Sequence, residues 1–139
     1  QKIKPALRHG YWVLCDRFSD STIAYQGYGR GVEINVLREM ATNIEKQLSE
    51  IRIIYVHTSL EICLERLKKR TGAKNKFDNS SKIFFEKVVY GYSNIVKERG
   101  DNIIQVDGND EIKKVFSEIL QSVPELEQFK TTHNYLGGI

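Results

Sequence analysis

The sequence predicts an α/β protein built on a parallel sheet, and three observations carry that reading. Three short runs have the composition of buried strands: Tyr11-Trp12-Val13-Leu14-Cys15, Ile53-Ile54-Tyr55-Val56-His57 and Ile103-Ile104-Gln105-Val106-Asp107. Between and after them, apolar residues recur at helical spacing instead of alternating. The regular succession of the two kinds of segment is the signature of βαβ units, which require parallel strands.

A chain of 139 residues is long enough for one domain with a sizeable core, and residues 1–139 are read as a single domain. Hydrophobic residues at 40% and charged residues at 28% give the profile of a folded globular chain rather than a disordered one. A net charge of +3 is too small to argue for nucleic acid by itself. No apolar run approaches membrane-spanning length and no signal-peptide pattern opens the chain, so no membrane partner is expected. Cys15 and Cys63 fall in apolar settings without metal-ligand spacing. They read as reduced core thiols of a cytoplasmic protein, and no residue is assigned to a metal.

Ile3, Ala6 and Leu7 lie at helical spacing, and His9-Gly10 closes that segment, with His9 a helix-end cation. Residues 11–17 form the first expected strand. Asp16 and Arg17 then fall at its carboxyl end, the edge where open α/β sheets bind ligands. Ser19, Asp20 and Ser21 are suitable N-caps for a short helix carrying Thr22, Tyr25 and Gln26. An anion there would meet unpaired backbone N–H groups and the Arg17 guanidinium. A plainer reading stands beside this one: Asp16 and Arg17 as a local ion pair, Tyr25 as core, and Gly27, Gly29 and Gly31 as a turn. The spacing of those glycines is not that of a dinucleotide fingerprint.

From Val32 to Leu48 the apolar stripe is helical, and residues 53–57 form the second strand. His57 at its end is given no role. Thr58 or Ser59 can cap the next helix, whose buried face is Leu60, Cys63, Leu64 and Leu67. That helix runs into a stretch from Arg66 to Phe77 holding six cations and no acid. The stretch is either a solvated helix end that suits the macrodipole or a set of cations awaiting a ligand. A helix starting at Ser80 or Ser81 carries Ile83, Phe84, Val88, Val89, Tyr92, Ile95 and Val96. The third strand, 103–107, leads through Gly108-Asn109-Asp110 into a helix over about 110–122, and a loose tail is expected over about 124–139.

The string Asp16-Arg17-Phe18, followed by Ser21-Thr22-Ile23-Ala24-Tyr25-Gln26-Gly27-Tyr28-Gly29-Arg30-Gly31, closely resembles the thymidylate kinase family. Ile3-Lys4-Pro5-Ala6-Leu7 and Gly10 resemble the family's approach to this strand. The likeness continues more weakly through about the first 110 residues. It implies a P-loop kinase-like α/β fold, a parallel sheet with helices on both faces, of which three strands belong to this chain and two would precede residue 1. It also implies transfer of the ATP γ-phosphoryl group to dTMP, giving dTDP, with Mg²⁺ as cofactor and a homodimer as the assembly.

The resemblance assigns roles by matching position. Arg17 would bridge the acceptor phosphate and the transferring group, with Asp16 close to Mg²⁺ or the acceptor phosphate. Ser21, Thr22 and Gln26 would contact the base, and Tyr25 would crowd the sugar 2′ position. The basic segment, about 68–79, matches the family's lid over the triphosphate. Relatives often show Asp-Arg-Phe-Glu there, where this chain has Asn75-Lys76-Phe77-Asp78. Lys for Arg keeps the charge and loses the bidentate fork, so Arg70 is taken as the lid arginine, with Lys74 and Lys76 assisting. Arg66, Arg70, Asp107 and Gly108 are taken as ATP contacts.

No G-x-x-x-x-G-K-[ST] occurs, and the chain opens on Gln1. The expectation is a later part of a longer protein, inactive alone. Three alternatives remain: a deoxynucleoside kinase, a non-catalytic nucleotide-binding remnant, and a basic nucleic-acid-binding domain. The last needs aromatics interleaved with the 66–76 cations, and the sequence supplies none.

Overall fold

Helix boundaries follow the apolar stripes closely in the computed structural model, which describes residues 2–48, 50–71 and 79–129. The elements in chain order are α1 (Ile3–Arg8), α2 (Ser19–Thr22), a π-helix (Ile23–Gly29), α3 (Ile34–Glu45), β1 (Ile53–His57), α4 (Leu60–Thr71) and α5 (Asn79–Arg99). A 3₁₀ turn (Gly100–Asn102), β2 (Ile103–Asp107), α6 (Ile112–Ser122) and a second 3₁₀ segment (Pro124–Phe129) complete them. No helix among the described residues is long and apolar enough to cross a membrane.

β1 and β2 pair in parallel, with Ile53 opposite Ile103 and His57 opposite Asp107. Parallel pairing needs a crossover, which α4 and α5 supply. Both carboxyl ends therefore reach the same edge, where the Gly108 N–H donates to the His57 carbonyl at 2.6 Å. A Cβ on Gly108 would sit 2.8 Å from that same carbonyl oxygen, so the approach requires glycine.

The expected first strand is not formed as a ladder among the described residues. Two strands, not three, occur among the described residues. Residues 11–15 carry no ladder and are exposed, Leu14 at 91%. Apolar composition reports a drive toward burial, not a partner, and among the described residues β1 and β2 pair only with each other. Cys15 is consequently exposed rather than core, while Cys63 is half-buried and its thiol is pushed up by burial; both are free.

Ile23, Ala24, Ala41, Val88 and Ile95 form the core, with Tyr25, Tyr28, Ile34, Leu37, Phe84 and Tyr92 packed around it. This cluster is the seam between α5, the π-helix and α3, and Ile103, Val106, Leu120 and Val123 are buried as well, on β2 and at α6. Burying Ile23, Val88 and Ile95 contributes about 1.5–3 kcal/mol each. On α3, Val36, Met40 and Ile44 remain exposed, and Val32 just before the helix continues that stripe.

The Ser59 hydroxyl caps α4 as the sequence suggests, accepting from the Ile62 N–H at 3.3 Å. α2 has no side-chain cap. Its polar residues turn elsewhere: Ser19 Oγ donates to Glu45 Oε1 at 2.5 Å, and Asp20 accepts from Arg99. Arg99 hydrogen bonds hold the Glu45 carboxyl below its ordinary value of 4.5 against the opposing effect of burial, and Ser19 assists. A carboxyl depressed in the folded state stabilises the protein above its unfolded value, and that contribution is lost as pH falls through the folded value. Thermal midpoints measured against pH should therefore drop on the acid side of 4.5, and Glu45→Gln should flatten part of that drop.

Candidate active site

The chain leaves the 11–15 run through Asp16 and Arg17, and Arg17 turns it with φ at 69°. Left-handed backbone at a side-chain-bearing residue costs roughly 1–2 kcal/mol. The turn swings the Arg17 guanidinium over the Tyr25 ring, with Cζ 4.2 Å from the ring centroid. Its Nε reaches Ser21 Oγ at 3.5 Å, a long contact at the margin of a hydrogen bond. The Asp16–Arg17 ion pair of the plainer reading is not formed, and among the described residues no carboxylate lies within ion-pair distance of Arg17. Arg17 and Asp16 are both exposed.

The remaining side of the site comes from α5. Tyr92 OH and Ser21 Oγ are 2.7 Å apart. The Tyr92 ring stacks on Tyr55 of β1 at 5.4 Å and 22°, and meets Tyr25 edge-on at 6.4 Å. Phe84 also meets Tyr25 edge-on, at 6.0 Å. Tyr25 is thus packed against two rings while its face meets the Arg17 guanidinium. Burial pushes the Tyr92 hydroxyl up, so it stays protonated at neutral pH and can donate. Gln26 Oε1 accepts from Arg30 Nη1 at 3.1 Å, and Thr22 is exposed on the same turn. Arg30, Ser81, Phe84 and Phe85 line a shallow hollow of about 320 Å³ beside it.

A second group forms at the carboxyl edge of the sheet. Asp107 Oδ1 accepts from the Asn109 N–H at 2.9 Å, and Asn109 Oδ1 accepts from the Ser59 N–H at 2.8 Å. Arg66 Nη2 donates to the carbonyls of Asn109 and Asp110, each at 3.4 Å. Arg66, Asp107 and Gly108 are thereby brought to one loop, although the Asp107 carboxylate is spent on its own turn. The side chain of Arg70, together with Lys74 and Lys76, lies outside the described residues. Among the described residues no cluster of three or more His, Cys, Asp or Glu could hold a metal ion.

The structure brings Arg17, Ser21 and Tyr25 together and adds Tyr92, which the sequence reading placed wholly on an apolar face. The one available signal was its hydroxyl, because a tyrosine facing a core seeks a polar partner.

A family model described as thymidylate kinase matches residues 1–119. Thymidylate kinases from two strains of Staphylococcus epidermidis are each 38% identical over 126 residues, covering 88% of this chain. The chain spans 61% of the length of those relatives. With a match over most of its residues, and with the Arg17–Tyr25 arrangement folded from the string that carries the likeness, the chain belongs to the thymidylate kinase family.

Proposed function

We propose that the protein to which this chain belongs transfers the γ-phosphoryl group of ATP to dTMP, yielding dTDP and ADP. One observation carries the reading. The Arg17 guanidinium is held over Tyr25, beside the hydroxyls of Ser21 and Tyr92, with no carboxylate neutralising it among the described residues. A planar cation so presented suits a phosphate monoester, which it can meet with two parallel hydrogen bonds.

In the reaction, an oxygen of the acceptor phosphate forms a bond to the γ-phosphorus as the bond from that phosphorus to the β–γ bridging oxygen breaks. Little covalent chemistry is asked of the protein; it positions the reactants and stabilises charge on the equatorial oxygens. Arg17 does this from the acceptor side. Arg70, Lys74 and Lys76 are the proposed cations over the triphosphate, and Arg66, Asp107 and Gly108 the proposed ATP edge. Ser21, Thr22 and Gln26 are the proposed base contacts, where an unmatched base would leave a polar group unpaired. Tyr25, fixed by its neighbours, is the proposed barrier to a 2′-hydroxyl.

Mg²⁺ commonly keeps several waters and binds through one or two carboxylates plus substrate phosphates. An exposed Asp16 next to Arg17 fits that sparse requirement, and the ion would supply charge neutralisation when bound with ATP. A P-loop kinase-like sheet with 11–15 as a further strand belongs to the same proposal, since an exposed apolar run is suited to a strand partner. The stripe of Val32, Val36, Met40 and Ile44 supports a homodimer packed through α3. Two free thiols suit a reducing compartment, and the cytoplasm is the proposed location.

The test is an acceptor comparison on the full-length protein with ATP and Mg²⁺. Formation of dTDP from dTMP, with no dTMP formed from thymidine, is the expected result. Phosphorylation of thymidine in place of dTMP would make the protein a deoxynucleoside kinase instead.

A further inference from the structure

Behind the site lies an ion cluster that none of the proposed nucleotide contacts accounts for. The Arg99 guanidinium, on the last residue of α5, uses all three nitrogens. Nε donates to Asp20 Oδ1 and Oδ2 at 3.1 and 2.9 Å, and Nη2 to Oδ1 at 2.5 Å. Nη1 and Nη2 donate to Glu45 Oε2 and Oε1 at 3.2 and 2.8 Å. The three side chains are only 21%, 13% and 21% exposed for Arg99, Asp20 and Glu45. One cation thus ties the start of α2 to the ends of α3 and α5.

Asp20 is the member that bears on the site. It stands three residues after Arg17, on the same turn as Ser21, to which Arg17 reaches. Ser21, next to Asp20, is reached by Arg17 and meets the Tyr92 hydroxyl at 2.7 Å, so Asp20 borders the group that holds Arg17. Among the described residues Arg99 is the only cation within ion-pair distance of Asp20. Without it, Asp20 would be a carboxylate with restricted access to water and Arg17 close at hand. Pairing with Arg17 would remove the very charge that an acceptor phosphate needs.

We propose that Arg99 is a positioning residue that holds Asp20 away from Arg17, keeping the Arg17 guanidinium open for the acceptor phosphate. The inference rests on the acceptor reading above for the identity of that phosphate, and on the geometry alone for the competition. It differs from a purely structural role in one respect: removing Asp20 should undo the damage of removing Arg99.

The experiment measures dTMP binding by titration calorimetry on four full-length proteins: wild type, Arg99→Gln, Asp20→Asn and the double variant. Arg99→Gln is expected to weaken dTMP about tenfold, the scale of a typical coupling between sites. The double variant should return to within about threefold of wild type, and Asp20→Asn alone should bind dTMP at least as tightly as wild type. Wild-type affinity in Arg99→Gln, or a double variant as weak as the single one, would overturn the proposal. Should Arg99→Gln not fold, Asp20→Asn still decides, because a loss of binding in it would make Asp20 a contributor rather than a competitor. Inorganic phosphate is titrated in parallel to separate the two failures. Phosphate bound without dTMP overturns the acceptor reading alone, and the four-protein pattern is then read with phosphate; neither ligand bound by wild type overturns both.

Discussion

Arg17→Ala in the full-length protein is expected to lower dTMP turnover on the order of 10³-fold, the loss seen when a charge-stabilising arginine is removed from phosphoryl transfer. Arg17 is exposed at the site, held by Tyr25 and Ser21 and claimed by no carboxylate among the described residues, so its charge is fully available. The larger part of the loss should fall on kcat, because the charge on the transferring oxygens peaks in the transition state, with dTMP binding weakened about tenfold besides. Arg17→Lys should recover only part of it, since an ammonium keeps the charge and not the planar fork. Steady-state kinetics with dTMP and ATP decide the matter, and an alanine variant with wild-type turnover would remove Arg17 from the mechanism.

The second large effect concerns stability. Gly91 lies in the interior of α5, where glycine is unfavourable relative to alanine by about 1 kcal/mol. On helix propensity alone, Gly91→Ala should stabilise. An added Cβ, however, would stand 2.7 Å from Tyr28 Cγ and Cδ2 and 2.8 Å from its Cβ. These atoms are the root of the side chain, so relief requires the π-helix backbone to move. Overpacking of this kind costs about 1–3 kcal/mol and outweighs the propensity gain. Urea unfolding should therefore show Gly91→Ala less stable by about 1 kcal/mol, and Gly91→Leu by on the order of 3 kcal/mol. The displacement would pass to Tyr25 and Gln26 on the same π-helix, so dTMP binding should weaken as well. A more stable Gly91→Ala would show that the seam can open without loss.

Local pattern explains what the sequence made legible. The four longer helices rest on periodicity and β1 and β2 on apolar, β-branched composition, each within one segment, and their boundaries agree with the structure to within a few residues. What depends on partners distant in the chain was not readable. The 11–15 run has strand composition, but composition cannot report whether a neighbour is present. Residues 23–29 read as an ordinary short helix and turn, because nothing in Ile-Ala-Tyr-Gln-Gly-Tyr-Gly distinguishes a wide i→i+5 turn from a normal one. Ser19 and Asp20 have the chemistry of caps, yet long-range partners outcompete the cap: Glu45 lies 26 residues from Ser19, and Arg99 lies 79 from Asp20. Within the site, Arg17, Ser21 and Tyr25 were legible because they sit within one continuous string, whereas Tyr92 had to be delivered by a remote helix.

Arg17 is the one non-glycine residue with positive φ among those described. Glycine would adopt the same backbone freely, so a screen that rewards heat tolerance alone will favour discarding the arginine. Directed evolution of a hardier protein should therefore select on catalysis in every round. If Arg17 carries the acceptor phosphate as proposed, the fittest backbone at that position would belong to a variant that has lost its turnover.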